Sequence, residues 1–160
     1  MEFGRVEQRD FAVLGLHQQR QFRAAENDAL RALLHEACDR LAAGHARTLQ
    51  ELAGSPPVLD LVHLGLGPDG HTASLVPGDP VLDVTDTDVA LTGAYQWRCR
   101  MTLTYPIINR ARRILWLITG SDKAGPLARL RDADRAIPAG RVRQDQALVL
   151  ADRSAAGSLG

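Results

Sequence analysis

Aromatic side chains are scarce in this chain: three Phe, two Trp and two Tyr make up 4% of its 160 residues. With no basic tract interleaved among them, there is no platform for stacked bases. Charge of one sign is lacking as well. Lys+Arg and Asp+Glu balance at 19 each, so no global field draws the chain to nucleic acid or to an acidic membrane surface. Cysteine is as rare: Cys38 and Cys99 lie far apart, on what read as a helix and a strand. Thiols so placed are expected to stay reduced, and neither has the spacing of a metal ligand. No apolar run approaches the roughly 18 residues that a membrane-spanning helix needs, and MEFGRVEQRDF does not read as a signal peptide. These absences predict a cytoplasmic protein with no nucleic-acid or membrane partner.

What is present is ordinary globular material, 45% apolar and 24% charged, in a length that suits one domain over 1–160. From about Arg23 the pattern is helical. Leu30, Leu33, Leu34, Ala37 and Leu41 share one face, which continues through Ala46, Leu49 and Leu52 until Gly54-Ser55-Pro56-Pro57 stops it. That face could cover a sheet. Residues 11–16 (FAVLGL) could form a short strand. Strands are predicted at 59–64, 88–92, 98–104, 113–119 and 147–151, with a Pro-, Gly- and Asp-rich loop over 77–88. A short helix is predicted at 106–112, and a longer one runs from Gly120 to about Arg131 with Ser121 or Asp122 as its cap. Apolar strands alternating with helices indicate an α/β layered fold, three-layer and Rossmann-like, with a mainly parallel sheet covered on both faces.

The most informative stretch is LDLVHLGLGPDGHTASL, residues 59–75, where an apolar strand ends in glycines, a proline, an aspartate and a histidine. In open α/β sheets ligands bind beyond the carboxyl ends of strands. Gly65, Gly67 and Gly70 let backbone approach a ligand closely, and free N–H groups on such a turn can hold anionic or carbonyl oxygens. His71 follows the tightest part, and an imidazole suits proton transfer near neutrality. Asp69 could orient that ring or carry a proton itself. A plainer reading stands beside this one: the glycines make only a tight β–α turn and His71 caps the next helix. A dinucleotide site is disfavoured, because the glycines are not in G-x-G-x-x-G register and no acidic residue ends a second strand about 20 residues on. His63, inside the strand, reads as a core residue. Lys123 opens a helix beyond another strand's carboxyl end, against the helix dipole, and a bound phosphate would resolve that conflict. Its plainer reading is a solvated lysine. Arg98 and Arg100 share one face of their strand.

GLGPDGHTASLVPG, then RMTLTYPIINRARRILWLITGSDKAGPL, then PAGRV and LVLADRSAAG resemble the 6-phosphogluconolactonase family, within a wider group that includes the glucosamine-6-phosphate isomerase/deaminases. Three motifs in order, over roughly 57–156, carry the resemblance. It implies hydrolysis of 6-phospho-D-glucono-1,5-lactone to 6-phospho-D-gluconate in the pentose phosphate pathway, with no metal and no organic cofactor. It implies that His71 is the general base that activates water, with Asp69 in support. Gly65, Gly67 and Gly70 would shape the turn, and Arg100 and Lys123 would hold the substrate phosphate, with Arg98 a solvated neighbour. The deaminase branch places a glutamate five residues after the motif histidine, where this chain has Val76. The family's N-terminal glycine-rich phosphate loop has no counterpart before residue 57. The expectation is therefore a fold truncated at the N-terminus, with 1–56 divergent and 57–156 catalytic. Two consequences are possible: a non-catalytic sugar-phosphate-binding remnant, or a homo-oligomer formed through an exposed sheet edge.

Overall fold

The structure, a computed structural model, describes residues 16–93 and 100–157. The chain divides into two compact units, Met1–Ala37 and Cys38–Gly160. In the first, the described backbone is the beginning of helix α1 (Leu16–Ala53), which starts several residues earlier than its apolar periodicity indicates. The strand expected at 11–16 lies outside the described residues apart from Leu16, which is helical. The apolar stripe did mark a helix, but burial does not follow from it. Leu30, Leu33 and Leu34 are more than half exposed, as are Leu41 and Leu52 on the part of α1 in the second unit.

The second unit is built on three parallel strands, β1 (Val62–Leu64), β4 (Ile114–Ile118) and β5 (Ala147–Ala151), in the order β1-β4-β5. Val62 lies opposite Ile114, and Ile114 opposite Ala147. Two-residue alternation then sends Val62, Leu64, Ile114, Trp116 and Ile118 to one face, where all five are buried. Leu75, Ile108, Leu127, Leu130, Ile137 and Val142 pack on that face as one core. Each fully buried aliphatic side chain there contributes about 1.5–3 kcal/mol. The opposite face carries His63, Leu115, Leu117, Leu148 and Leu150; of these Leu117, Leu148 and Leu150 are about half exposed. His63, read as a core residue, is exposed there too.

Strands β2 (Val89–Leu91) and β3 (Met101–Leu103) pair antiparallel as a separate two-stranded sheet. The loop before β2 is organised by the buried carboxylate of Asp79, which accepts N–H bonds from Val81 and Gly93 around a 3₁₀ turn at Pro80–Asp83. After β3 comes α2 (Tyr105–Arg110), whose Arg110 pairs with Asp88 and donates to the Pro57 carbonyl, tying loop, helix and the entry to β1 together. A 3₁₀ turn, Ser121–Lys123, leads into α3 (Ala124–Arg131), and α4 (Arg153–Ala156) closes the described chain. Neither Ser121 nor Asp122 caps α3. Gly120 precedes the 3₁₀ turn without a side-chain cap, and Asp122 turns instead to Lys123. Among the described residues no helix is long and apolar enough to cross a membrane.

Candidate active site at the carboxyl edge of the sheet

Because β1 and β4 are adjacent and parallel, the segments that follow them leave the sheet at the same edge. After β1 comes the glycine turn. Gly67 N–H donates to the His71 carbonyl at 2.8 Å, and Gly70 N–H donates to the Gly67 carbonyl at 3.0 Å. The Thr72 hydroxyl reaches back to the Gly65 carbonyl at 2.9 Å. The N–H groups of Gly67 and Gly70 are thus used in closing the turn, and His71 N–H is taken by Asp69. The expectation that free N–H groups on this turn would cradle an anion does not hold for these three, because a turn this tight must satisfy its own donors.

The imidazole of His71 is held on two sides. Its Nδ1 lies 2.6 Å from Asp69 Oδ1, and the same oxygen accepts the His71 N–H at 3.1 Å. Its ring lies against Gly67, where an added Cβ would stand 2.1 Å from Nδ1. Partial burial pushes the Asp69 carboxyl up, but bonds from the His71 amide and ring outweigh this and hold it below the usual carboxylate range. An ionised carboxylate accepts and cannot donate, so the proton of this pair sits on Nδ1. The lone pair of the neutral ring is therefore on Nε2, and an imidazole so fixed can take a proton from water. Gly70 adopts φ +83°, and an added Cβ would meet Ile137 Cβ at 2.6 Å. Gly65 differs: it is exposed, and a Cβ there would touch nothing within 4 Å.

After β4, Gly120 adopts φ +99°, and its N–H is held by both carboxylate oxygens of Asp152 at 3.2 and 3.1 Å. Lys123 Nζ pairs with Asp122 Oδ2 at 2.6 Å, and only 19% of the lysine side chain is exposed. It is not the solvated lysine of the plainer reading. Arg100 precedes β3 and is exposed; its amide donates to the Thr92 hydroxyl. One residue into β3, the Thr102 hydroxyl accepts from Ser74 N–H at 3.2 Å, linking that sheet to the segment after His71. Arg98 and Cys99 lie outside the described residues. The geometry brings Asp69, His71, Gly67 and Gly70 into direct contact and sets Lys123 on the same edge of the sheet. Arg100 stands two residues before Thr102, whose bond to Ser74 ties that strand to the segment after the turn.

Sequence reasoning missed Asp152, Thr72, Ile137 and Tyr105. Thr72, Tyr105 and Asp152 lie inside the motif stretches without being singled out there, and Ile137, which packs against Gly70, directly precedes PAGRV. Among the described residues no group of three or more His, Cys, Asp or Glu side chains is placed to hold a metal ion. A cavity of about 700 Å³ lined by Leu61, Arg112, Leu115 and Leu148 lies at the strands' amino ends, away from this edge.

Two glycines separate the geometry of the Asp69–His71 pair from stability. In Gly67→Ala the added Cβ meets a half-buried ring that can swing toward solvent, so we expect the Asp69–His71 bond to be lost with little change in Tm. In Gly140→Ala the added Cβ stands 1.9 Å from the Asp134 carbonyl oxygen, which is backbone and cannot swing away. Overpacking of this kind costs about 1–3 kcal/mol, equivalent to a Tm drop of roughly 2–12 °C for a chain this size. Equal melting shifts for the two variants in calorimetry would contradict this division.

A parallel α/β sheet with its polar side chains gathered beyond the strands' carboxyl ends defines a Rossmann-like protein with an edge-mounted site. The chain belongs to the glucosamine-6-phosphate isomerases/6-phosphogluconolactonase family, whose model matches residues 8–150. It is 42% identical over 103 residues to a 6-phosphogluconolactonase of Rattus norvegicus, covering 61% of this chain and 40% of that one. To a 6-phosphogluconolactonase of Synechocystis it is 44% identical over 85 residues, covering 53% and 35%. The solved 6-phosphogluconolactonase of Trypanosoma brucei superposes with a TM-score of 0.64 at 30% identity, over 76% of this chain and 53% of that one. The chain therefore spans about half the length of that structure and less than half of the curated relatives.

Proposed function

We propose that this chain carries the catalytic part of a 6-phosphogluconolactonase, hydrolysing 6-phospho-D-glucono-1,5-lactone to 6-phospho-D-gluconate. The observation that carries the reading is the 2.6 Å Asp69–His71 pair on the glycine turn beyond β1. Relatives that match more than half of this chain are named 6-phosphogluconolactonases. His71 Nε2 takes a proton as water oxygen attacks the lactone carbonyl carbon, and a tetrahedral oxyanion forms. Collapse of that intermediate breaks the ring C–O bond, and the imidazolium returns the proton to the departing ring oxygen. Lactone plus water thus becomes the open-chain hydroxy acid. Asp69 holds the tautomer and stabilises the transient imidazolium. Lys123 and Arg100 bind the distal phosphate, so that binding energy far from the carbonyl fixes the reacting atoms.

Val76, five residues after His71, offers no carboxylate, which supports a lactonase over a glucosamine-6-phosphate deaminase. The test compares 6-phosphogluconate formation by the purified chain with the uncatalysed rate, alongside ammonia release from glucosamine 6-phosphate. Lactone opening above background without ammonia release is expected. A chain that binds 6-phosphogluconate but does not accelerate ring opening would be the non-catalytic remnant.

The partner surface proposed with this function is a second copy of the chain. Parallel sheets are normally buried on both faces. Here Leu117, Leu148 and Leu150 are about half exposed, and among the described residues β1 and β5 each have one neighbouring strand. Open edges and apolar faces invite association. Sedimentation should show concentration-dependent association that a Leu117→Lys, Leu150→Lys variant reduces. A wild-type chain that stays monomeric at every accessible concentration would defeat the proposal.

A further inference from the structure

Beneath the His71 turn lies a stretch of chain that belongs to no strand, residues 134–142. It is anchored at its start, where the Asp134 carboxylate accepts from Arg129 Nε at 2.7 Å and from the Ala136 N–H at 2.9 Å. Its middle is buried: Ile137 is 2% exposed, and Ala139 is fully enclosed. Ala139 N–H donates to the carbonyl of Gly70 at 3.0 Å, and the carbonyl of the preceding residue, Pro138, accepts the Tyr105 hydroxyl at 2.9 Å. These two contacts involve the two ends of one peptide group. The Gly70 carbonyl in turn shares a peptide group with the His71 N–H, which donates to Asp69 Oδ1. A continuous path therefore runs from the Tyr105 hydroxyl through the Pro138–Ala139 peptide and the Gly70–His71 peptide to the carboxylate that holds the imidazole.

Each of those peptide groups is planar and resists twisting, so fixing its carbonyl end fixes the direction of its N–H. Hydrogen bonds in series also polarise one another, each by about 10–30%. The hydroxyl at the head of the path stays a donor through the neutral range. Burial raises its pKa, with opposing contributions from Arg141 and Arg135, to about 12. Ile137 closes the path sterically, since Gly70 at φ +83° leaves no room for a side chain against it.

We propose that Tyr105 is a positioning residue for His71, acting through the Pro138–Ala139 and Gly70–His71 peptide groups on Asp69. It touches neither substrate nor reacting atoms. Removing the hydroxyl loosens the Ala139–Gly70 contact, lets the Gly70–His71 peptide rock, and spreads the imidazole over orientations of which few face the lactone carbonyl. Loss of orientation lowers the rate of the chemical step and leaves phosphate binding alone, so kcat falls while KM stands.

The inference rests on the lactonase reading for its kinetic arm but not for its spectroscopic one. Tyr105→Phe is expected to lower kcat about 2–10-fold, the worth of one net hydrogen bond, with KM unchanged. In the same variant the Ala139 amide should exchange with solvent faster, and the His71 imidazole resonances should broaden or split. Should the phenylalanine variant fail to fold, 4-methylphenylalanine and 4-aminophenylalanine at position 105 keep the volume; only the amine donates, and only it should restore a single sharp His71 signal. Unchanged kcat with unchanged His71 resonances overturns the proposal, as does equal behaviour of the methyl and amino replacements. A wild-type chain without turnover would sink the lactonase reading, yet the resonance comparison would still decide the role of Tyr105.

Discussion

Alanine in place of His71 is expected to lower the proposed lactonase rate at neutral pH by about 10²–10⁴-fold, the usual worth of general-base assistance. The fold should survive, because the ring is only half-buried and lies at the end of a strand, outside the core. Its bond to Asp69 fixes which nitrogen carries the proton. An Asp69→Asn variant should therefore lose a large part of the same factor, since an amide can present its NH₂ to Nδ1 and favour the wrong tautomer. The measurement is lactone opening followed at constant pH, with circular dichroism to check the fold. A His71→Ala chain that keeps most of its rate while folded would remove His71 from the chemistry.

Affinity for 6-phosphogluconate or inorganic phosphate should fall about 10²-fold in an Arg100→Ala, Lys123→Ala double variant. A hydrogen bond between charged groups contributes roughly 1.5–3 kcal/mol, and the exposure of Arg100 argues for the lower end. Lys123 already holds Asp122, so phosphate must compete with a carboxylate 2.6 Å away. The bond to Lys123 leads the causes that keep the Asp122 carboxyl below its ordinary range, so the competitor stays charged at neutral pH. Asp122→Asn should accordingly tighten phosphate binding, the opposite sign to the double variant. Calorimetry in which neither change moves the affinity would place the phosphate elsewhere.

The elements legible in the sequence were those whose pattern is local. The run 113–119 became Ile114–Ile118, and 147–151 became β5 without adjustment, because a continuous apolar run has one good solution in a parallel sheet. Strand 59–64 shrank to Val62–Leu64. Leu59 gives its carbonyl to Arg112 and ladder pairing begins only at Val62, a partner relation that composition does not reveal. The separate antiparallel pairing of β2 and β3 was hidden for the same reason. In the site, the glycine turn and its histidine could be read because glycines clustered just past an apolar strand mark a tight turn in the local sequence, where ligands of such sheets bind. The consumption of the turn's N–H groups could not be read, nor could the support from residue 137, which depends on contacts across some 65 positions of chain. The stripe on α1 shows the converse: periodicity marked the helix correctly and said nothing about what, if anything, would cover it.

The parallel pairing of β1 with β4 also sets a timetable. Val62 and its partner Ile114 are separated by 52 positions, and β4 must itself wait for Ala147 before its second edge is filled. Closing such loops precedes any reward from the contacts they make, so this topology folds slowly compared with a helical bundle of the same length. During synthesis at about 5–20 residues per second, β1 is complete roughly 3–10 s before its neighbour exists. For that interval the strand that leads to His71 has, among the described residues, no ladder to join. Pulse-labelling of stalled nascent chains should find the Val62–Leu64 amides unprotected until β4 has been made, and protected soon afterwards.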